Sequence, residues 1–486
     1  MRKRSRQDKS DPAVAEEEFS VDKSPRALDL ASPRRLWAWA IFIAVVGLAV
    51  RGLWFYNFKD ELAMRLGPDG DVYIGQARAF LAGGIGDPEA PGIANVNREM
   101  LAPGYGLFLA GLWLLVPRSE VLALTTDVQL IAFGTQSLLV ALATLMTFAI
   151  ARRYLFGFSA LVPPVLLTAS IAVIDMTNMF AYEAPLMFVL TAAIWLLLVS
   201  HEHRGDEHSS RFLLVTMLAA LAVSAAILMQ PRVLVALPFL VWWSVRGIDW
   251  EHALIFAIVA LLLPVGWVMR DYAQFDRVVP ISIGPQESLY IDNIDPFAGD
   301  GVAQGETPPA CPRSDLSSSD FADRFAWGEC MQQAGIDQIA SDPATAAIAV
   351  PDRLGALFTP WNPEYASGLY SSSRWGYQDL VPQSIRDDST YDTAFDVLAV
   401  VLMALYVAAA LAGLWILWLE GVGSGGRLVT ILVLSLPIVH VLFHAEGRFR
   451  IPVLPILMIL LTLGSLQFFE LLRRNPDGVR ESDVPT

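Results

Sequence analysis

The chain has 486 residues and is 54% hydrophobic but only 17% charged, with a mean hydropathy of +0.47. A soluble protein carries roughly a quarter charged residues, so the composition speaks against a soluble globular fold. The formal charge of −15 speaks against nucleic acid as a partner. The apolar residues fall in blocks of about 16 to 26, the length that crosses ~30 Å of hydrocarbon, which predicts an all-α polytopic membrane protein.

Residues 1–35 are polar and rich in Ser, Asp and Glu, and read as a disordered cytoplasmic tail. The first span, 36–57, follows without a cleavage site and is expected to be an uncleaved anchor. It carries Arg51, which either has a function or snorkels among Trp54, Phe55 and Tyr56. The first outer segment, 58–126, opens with "GPDGDVYIGQARAF" (67–80). Here Asp69 and Asp71 precede an amphipathic helix over 72–82 that is too short to span. Either carboxylate serves as a helix cap or as a general base; Asp71, next to the helix, is the better cap. "NREMLAPGYGLFLAGLWLLVP" (97–117) reads as a second interfacial or re-entrant helix, because counting it as a span would invert every later loop.

Nine more spans follow at 127–151, 158–176, 182–200, 212–229, 231–246, 252–270, 393–418, 428–444 and 451–470. An even total puts Arg2, Lys3, Arg4, Arg34, Arg35, Arg152, Arg153, Arg204, Arg211, Arg246, Arg427, Arg473 and Arg474 on one side. By the positive-inside rule that side is the cytoplasm, which holds both termini. The units are thus the tail 1–35, a transmembrane module 36–270, an outer domain 271–392, helices 393–470 and a cytoplasmic tail 471–486. The outer domain is acidic, with 19 Asp and Glu against six Arg and no Lys. It contains Cys311 and Cys330, the only two cysteines. Their shared location outside the cell favours a disulfide over two spare thiols.

Ionisable residues at span rims are functional candidates. They gather on the outer side: Glu183 in "FAYEAPLMF", Arg232 in "MQPRVL", Arg270 and Asp271 in "GWVMRDYAQF". "HVLFHAEGRFRIPVLP" adds His440, His444, Glu446, Arg448 and Arg450. Arg448 and Arg450 oppose the positive-inside trend. They read as an ion pair with Glu446 or the acidic loop, or as an anion site suited to phosphate. His440 and His444 share a helical face but lack a third ligand, so a divalent metal stays possible and no cofactor is required. A lipid-linked phosphate substrate, its head group at the outer surface, would need this one-sided arrangement.

The order and spacing of several motifs resemble GT-C glycosyltransferases. The likeness is to the protein O-mannosyltransferase-like and aminoarabinose-transferase-like enzymes of family 39. They are Asp69…Tyr73…Ala77…Gly83, the Pro103–Ala110 stretch "PGYGLFLA", "ARRYLFG", Glu183, "PVGWVMRDYAQFDRVVPIS" and "HAEGRFRIPVLPIL". The resemblance covers most of 36–470 and implies a GT-C-like bundle of about ten transmembrane helices. Interfacial helices would lie in its first outer loop, and a folded outer loop before the last three spans. It further implies an inverting enzyme that moves a sugar from a polyprenyl-phosphate donor to an outer acceptor hydroxyl on a lipid, glycan or protein. Asp69 would be the base, with Asp71 positioning the acceptor or substituting for it. Arg270, Arg448 and Arg450 would hold the donor phosphate, and Glu183, Tyr105, His444 and Glu446 would contact substrate. The sequence departs from relatives in three places. Asp-Gly-Asp stands where they often have a contiguous acidic pair or Asp-Glu, and Arg270-Asp271 where they more often have Arg-Asn. The long outer loop with its cysteine pair matches no pattern of theirs. Compact size without retrieval signals favours a bacterial inner membrane. Three other readings stay open: an O-antigen polymerase or ligase, a transporter or flippase of lipid-linked sugars, and a non-catalytic assembly subunit.

Overall fold

The computed structural model describes residues 32–58, 69–83, 102–203, 210–279, 281–282, 289–290, 293, 311, 321–358, 389–419, 424–440 and 447–473. Some helical positions, His440 and Arg448 among them, are described by backbone alone. The tail up to residue 31, His444, Glu446 and the chain beyond 473 lie outside these residues.

The first elements are α1 (Pro33–Phe58), α2 (Gly70–Gly83), α3 (Pro103–Trp113), α4 (Arg118–Ala123) and α5 (Thr126–Ala151). A 3-10 turn (Gly157–Leu161) leads into α6 (Val162–Ala169), followed by α7 (Ile171–Thr177), α8 (Glu183–Glu202) and α9 (Ser210–Met229). A second 3-10 turn (Pro231–Ala236) leads into α10 (Leu237–Gly247), then α11 (Trp250–Phe275). Residues 271–392 contribute α12 (Phe321–Ser341) and α13 (Pro343–Phe358). The chain returns as α14 (Ser389–Trp418), α15 (Gly425–His440), a 3-10 turn (Gly447–Val453) and α16 (Leu454–Arg473). Among the described residues there is no strand.

This is a polytopic, all-helical membrane protein. Six described helices are long and apolar enough to cross a membrane: Pro33–Asn57, Thr126–Ala151, Glu183–Glu202, Phe212–Met229, Trp250–Ala273 and Phe449–Glu470. The other four predicted spans are also helical over their described residues: 158–176 is broken, 231–246 and 428–444 form shorter helices, and 393–418 lies within the 30-residue α14. The 158–176 span bends by 53° between α6 and α7, because Ser170 takes an extended conformation (φ −67°, ψ 113°) that ends one helix and starts the next. Pro231 and Pro238 bracket the second 3-10 turn and leave α10 only 11 residues long.

Small residues set the closest helix contacts. A Cβ on Gly413 of α14 would stand 2.1 Å from the Leu460 carbonyl oxygen, and one on Gly464 of α16 would stand 1.9 Å from that of Ala409. Glycine at both crossings lets the two backbones touch, the usual device where lipid gives helices no hydrophobic reason to associate. Arg51 is fully buried in α1, and its guanidinium does not snorkel toward the aromatic end. A Cβ on Gly47 would meet Arg51 Nη1 at 2.7 Å and the Thr168 methyl at 2.9 Å. The side chain therefore folds back along α1 against α6, the direction in which helical side chains lean.

The two ends of the bundle differ. At one, Trp37 sits edge-on to Phe148 at 4.9 Å, Arg153 grips Glu202 at 2.5 and 2.9 Å, and Arg427 covers the Trp418 ring. Nearby, Trp243 Nε1 donates to the Ser424 carbonyl at 2.8 Å. At the opposite end, Phe55, Phe133 and Phe180 form an aromatic chain with centroids 6.0 and 4.7 Å apart. That end also carries α2 and α3. α13 joins it, packing on the Gly447–Val453 turn and on α15. Cys311 and Cys330 are disulfide-bonded, as their shared location predicts.

The glycines of "PGYG" explain how α3 is seated. A Cβ on Gly104 would stand 2.5 Å from the Met229 amide nitrogen, and one on Gly106 would stand 2.7 Å from Gln76 Oε1. α3 therefore lies directly on the end of α9 and on α2. Gly104→Ala is expected to lower stability by about 2 kcal/mol, a cost of overpacking against backbone that cannot yield. Thermal unfolding in detergent measures it; an unchanged midpoint would mean that α3 is not seated there.

Candidate functional site

α2 starts at Gly70, two residues earlier than the sequence periodicity predicts, and this separates the two aspartates. Asp69 stands at the helix entry, half-buried, with its carbonyl accepting the Tyr73 N–H at 3.1 Å. Asp71 lies inside the first turn and is exposed, its Oδ1 accepting the Val72 N–H at 2.9 Å. Two residues on a helix diverge by about 200°, so only one faces the protein. The expectation that Asp71 precedes the helix is thereby corrected. It sits where an acid favours the helix dipole, and Asp69 occupies the junction.

Behind α2 lies a buried polar core. Tyr105 of α3 and Glu183, the first residue of α8, are both fully buried. The Tyr105 hydroxyl donates to Gln136 Oε1 at 2.7 Å, and Gln136 Nε2 donates to the carbonyls of Thr177 and Met179 at 2.8 and 3.0 Å. Burial pushes the Tyr105 phenol well above its usual range; the Glu183 charge acts in the same direction, and a hydrogen bond from the Ala181 N–H opposes both. Tyr73 meets Tyr105 edge-on at 4.9 Å and Tyr182 at 6.2 Å. Gln230, at the end of α9, donates to the Tyr182 hydroxyl at 2.7 Å. Residues from α2, α3, α5, α8 and the α9 exit thus converge on one place.

Tyr105→Phe is expected to cost about 1–3 kcal/mol, because buried Gln136 Oε1 loses its donor. The sign with pH follows from the raised pKa. The unfolded chain ionises first, near the usual 10.0, so the tyrosine's contribution is complete below that pH and falls above it. Unfolding at pH 8 and pH 10.5 measures both effects; the Phe variant should lose less stability between the two.

The cations divide into two groups. Arg450 is buried in the Gly447–Val453 turn, which packs against α8, the helix that Glu183 begins. Arg232, from the α9–α10 junction, covers the Phe449 ring at 4.4 Å and ties that junction to the turn. Arg270 instead pairs with its neighbour Asp271, which is fully buried, and lies 4.6 Å over the Trp267 ring. Asp271 thus supplies Arg270 with a counter-ion from its own helix. Arg78 donates to the carbonyls of Val121 and Leu122 at 3.1 and 2.9 Å, closing α4 onto α2.

Several residues of this region escape the sequence reading. Asp175 is buried in α7, two residues before Thr177. A lone acid inside a predicted span is itself a signal, and "SIAVIDMTNMF" displays it. Gln136 and Gln230 give no comparable signal in an apolar helix. Arg353, buried on α13, is one of six arginines in an acidic loop, with nothing local to single it out. Among the described residues, no three His, Cys, Asp or Glu side chains come together to hold a metal.

No family model matches the chain, and no curated protein matches it in sequence. Among solved structures it is similar to the oligosaccharyltransferase of Archaeoglobus fulgidus. The apo form aligns with a TM-score of 0.48 and 9% identity over 90% of this chain and 51% of that one. The archaeal oligosaccharyltransferase AglB with an inhibitory peptide and a dolichol-phosphate aligns at 0.44 and 9%, over 89% and 51%. The complex with zinc and sulfate gives 0.45 and 11%, over 88% and 49%. The chain spans about half the length of these structures.

Proposed function

We propose that the protein is an integral-membrane inverting glycosyltransferase that moves a sugar from a polyprenyl-phosphate donor to an acceptor hydroxyl at the outer membrane surface. The observation that carries this reading is a convergence at one end of the bundle. The Asp69 entry of α2, the buried Tyr105–Gln136–Glu183 core and the Arg450 turn meet there, opposite the end that holds Arg153 and Arg427. The positive-inside rule makes that opposite end cytoplasmic.

The chemistry asked of these groups is modest. An acceptor hydroxyl attacks the anomeric carbon on the face away from the phosphate. Its proton passes to Asp69, and the carbon–oxygen bond to phosphate breaks with its electron pair leaving on the phosphate. A general base is needed, but a strong general acid is not, since the leaving phosphate is stable as an anion; glycosidases differ by needing a carboxylate pair. Arg450 would meet the charge that develops on the phosphate, an effect that gains strength in a dry, low-dielectric site. Arg448 is its partner by sequence. Glu183, buried beside Tyr105, would orient sugar or acceptor hydroxyls.

The test is transfer from synthetic polyprenyl-phosphate sugars by purified protein. Release of polyprenyl phosphate with labelling of an acceptor supports the reading; a broad donor panel that yields no release overturns it. A transporter reading has two observations of its own, the mid-span guanidinium of Arg51 and the broken α6–α7 span. The same assay separates it, because a transporter moves the donor intact between vesicle leaflets.

A further inference from the structure

The outer helices connect to the candidate site through a short run of contacts. Cys311 and Cys330 pack with Tyr290, Trp327 and Met331 in a small core of their own. Gly335 of α12 lies so close to the Leu289–Tyr290 peptide that a Cβ there would stand 2.9 Å from it. Buried Asn293 follows; its amide donates to the Leu289 carbonyl at 2.8 Å, and its oxygen accepts from Arg353 at 2.9 Å. Arg353 belongs to α13, and α13 packs on the turn that carries Phe449 and Arg450.

Each link has a physical consequence. Among the described residues this core is small, and small outer domains rely on a disulfide. The bond restricts the unfolded chain, and the core it closes seats α12 against Leu289 and Tyr290. Asn293, just beyond them, accepts from the buried Arg353 guanidinium, a charge-assisted bond that ties α13 to this core. Where Arg353 is held, α13 is held, and with it one side of the Arg450 turn.

We propose that Arg353 is a positioning residue. Through Asn293 it fixes α13 against the Gly447–Val453 turn, and the Cys311–Cys330 bond makes that fixing conditional on an oxidising compartment. The consequence for catalysis rests on the reading of the Arg450 turn as the seat of the donor phosphate; the structural part does not.

Amide hydrogen exchange on the full-length protein in detergent tests it, comparing oxidised, phosphine-reduced, Arg353→Ala and reduced Arg353→Ala forms. Reduction and Arg353→Ala are each expected to speed exchange across 447–453 by about tenfold, with 186–200 unchanged. Combined, they should do no more than either alone, as expected of steps in one path. Arg353→Lys, which can still donate to Asn293, should stay within about twofold of wild type. A turn that keeps its wild-type rate after either change, or effects that multiply, overturns the proposal. In the transfer assay the donor KM should rise in both single forms, with kcat and acceptor KM near wild type. If wild type transfers nothing, the glycosyltransferase reading falls while the exchange result still judges the positioning.

Discussion

Asp69→Asn is expected to cut sugar transfer by roughly 10²–10⁴, the contribution of a positioned general base, while Asp71→Asn keeps most of the activity. The amide is nearly isosteric and can still stand at the entry of α2, so the fold should survive; it cannot take a proton. The asymmetry follows from the helix start at Gly70. Asp69 is half-buried at the junction, whereas Asp71 is exposed in the first turn, bonded to its own neighbour. Release of polyprenyl phosphate, measured for both variants at several pH values, checks it. Equal loss in the two would mean that they act as a pair. A dead Asp71→Asn beside an active Asp69→Asn would exchange their roles. An O-antigen polymerase or ligase, or an assembly subunit, would tolerate both changes.

The bundle was legible because membrane spans are written in long apolar runs that need no tertiary context to recognise. The loop arginines then ordered them by side. What stayed hidden depended on contacts between distant segments. Whether α2 starts at Gly70 or Val72 turns on two residues of helix, yet it decides which aspartate faces the protein. The break at Ser170 has no proline or glycine to announce it. Arg51 was ambiguous by sequence, since a rim arginine can reach either way; the glycine one turn earlier leaves room for it to fold inward. Gln136 shows the limit most plainly. Nothing in an apolar helix marks one glutamine as the hub of a network that spans α3, α5 and the approach to α8.

The two arginines assigned together from sequence should separate by experiment. Arg450→Lys keeps a charge in the turn but loses the planar fork that grips phosphate, and is expected to lower kcat/KM about a hundredfold with the unfolding midpoint held. Arg270→Met should do the reverse. Removing it takes away the arginine paired with the carboxylate of Asp271, which is fully buried. Breaking a buried pair on one side costs about 3–5 kcal/mol, whereas replacing both partners with apolar groups is often neutral. The double variant Arg270→Met with Asp271→Leu should therefore recover most of the stability lost by Arg270→Met alone, and recover activity with it. Thermal unfolding and transfer rates on the three proteins decide the matter. If the double variant is stable but inactive, Arg270 reaches the donor after all, and the phosphate seat extends from the Arg450 turn across to the end of α11. If it is stable and active, Arg270 and Asp271 belong to the frame of the site rather than to its phosphate seat.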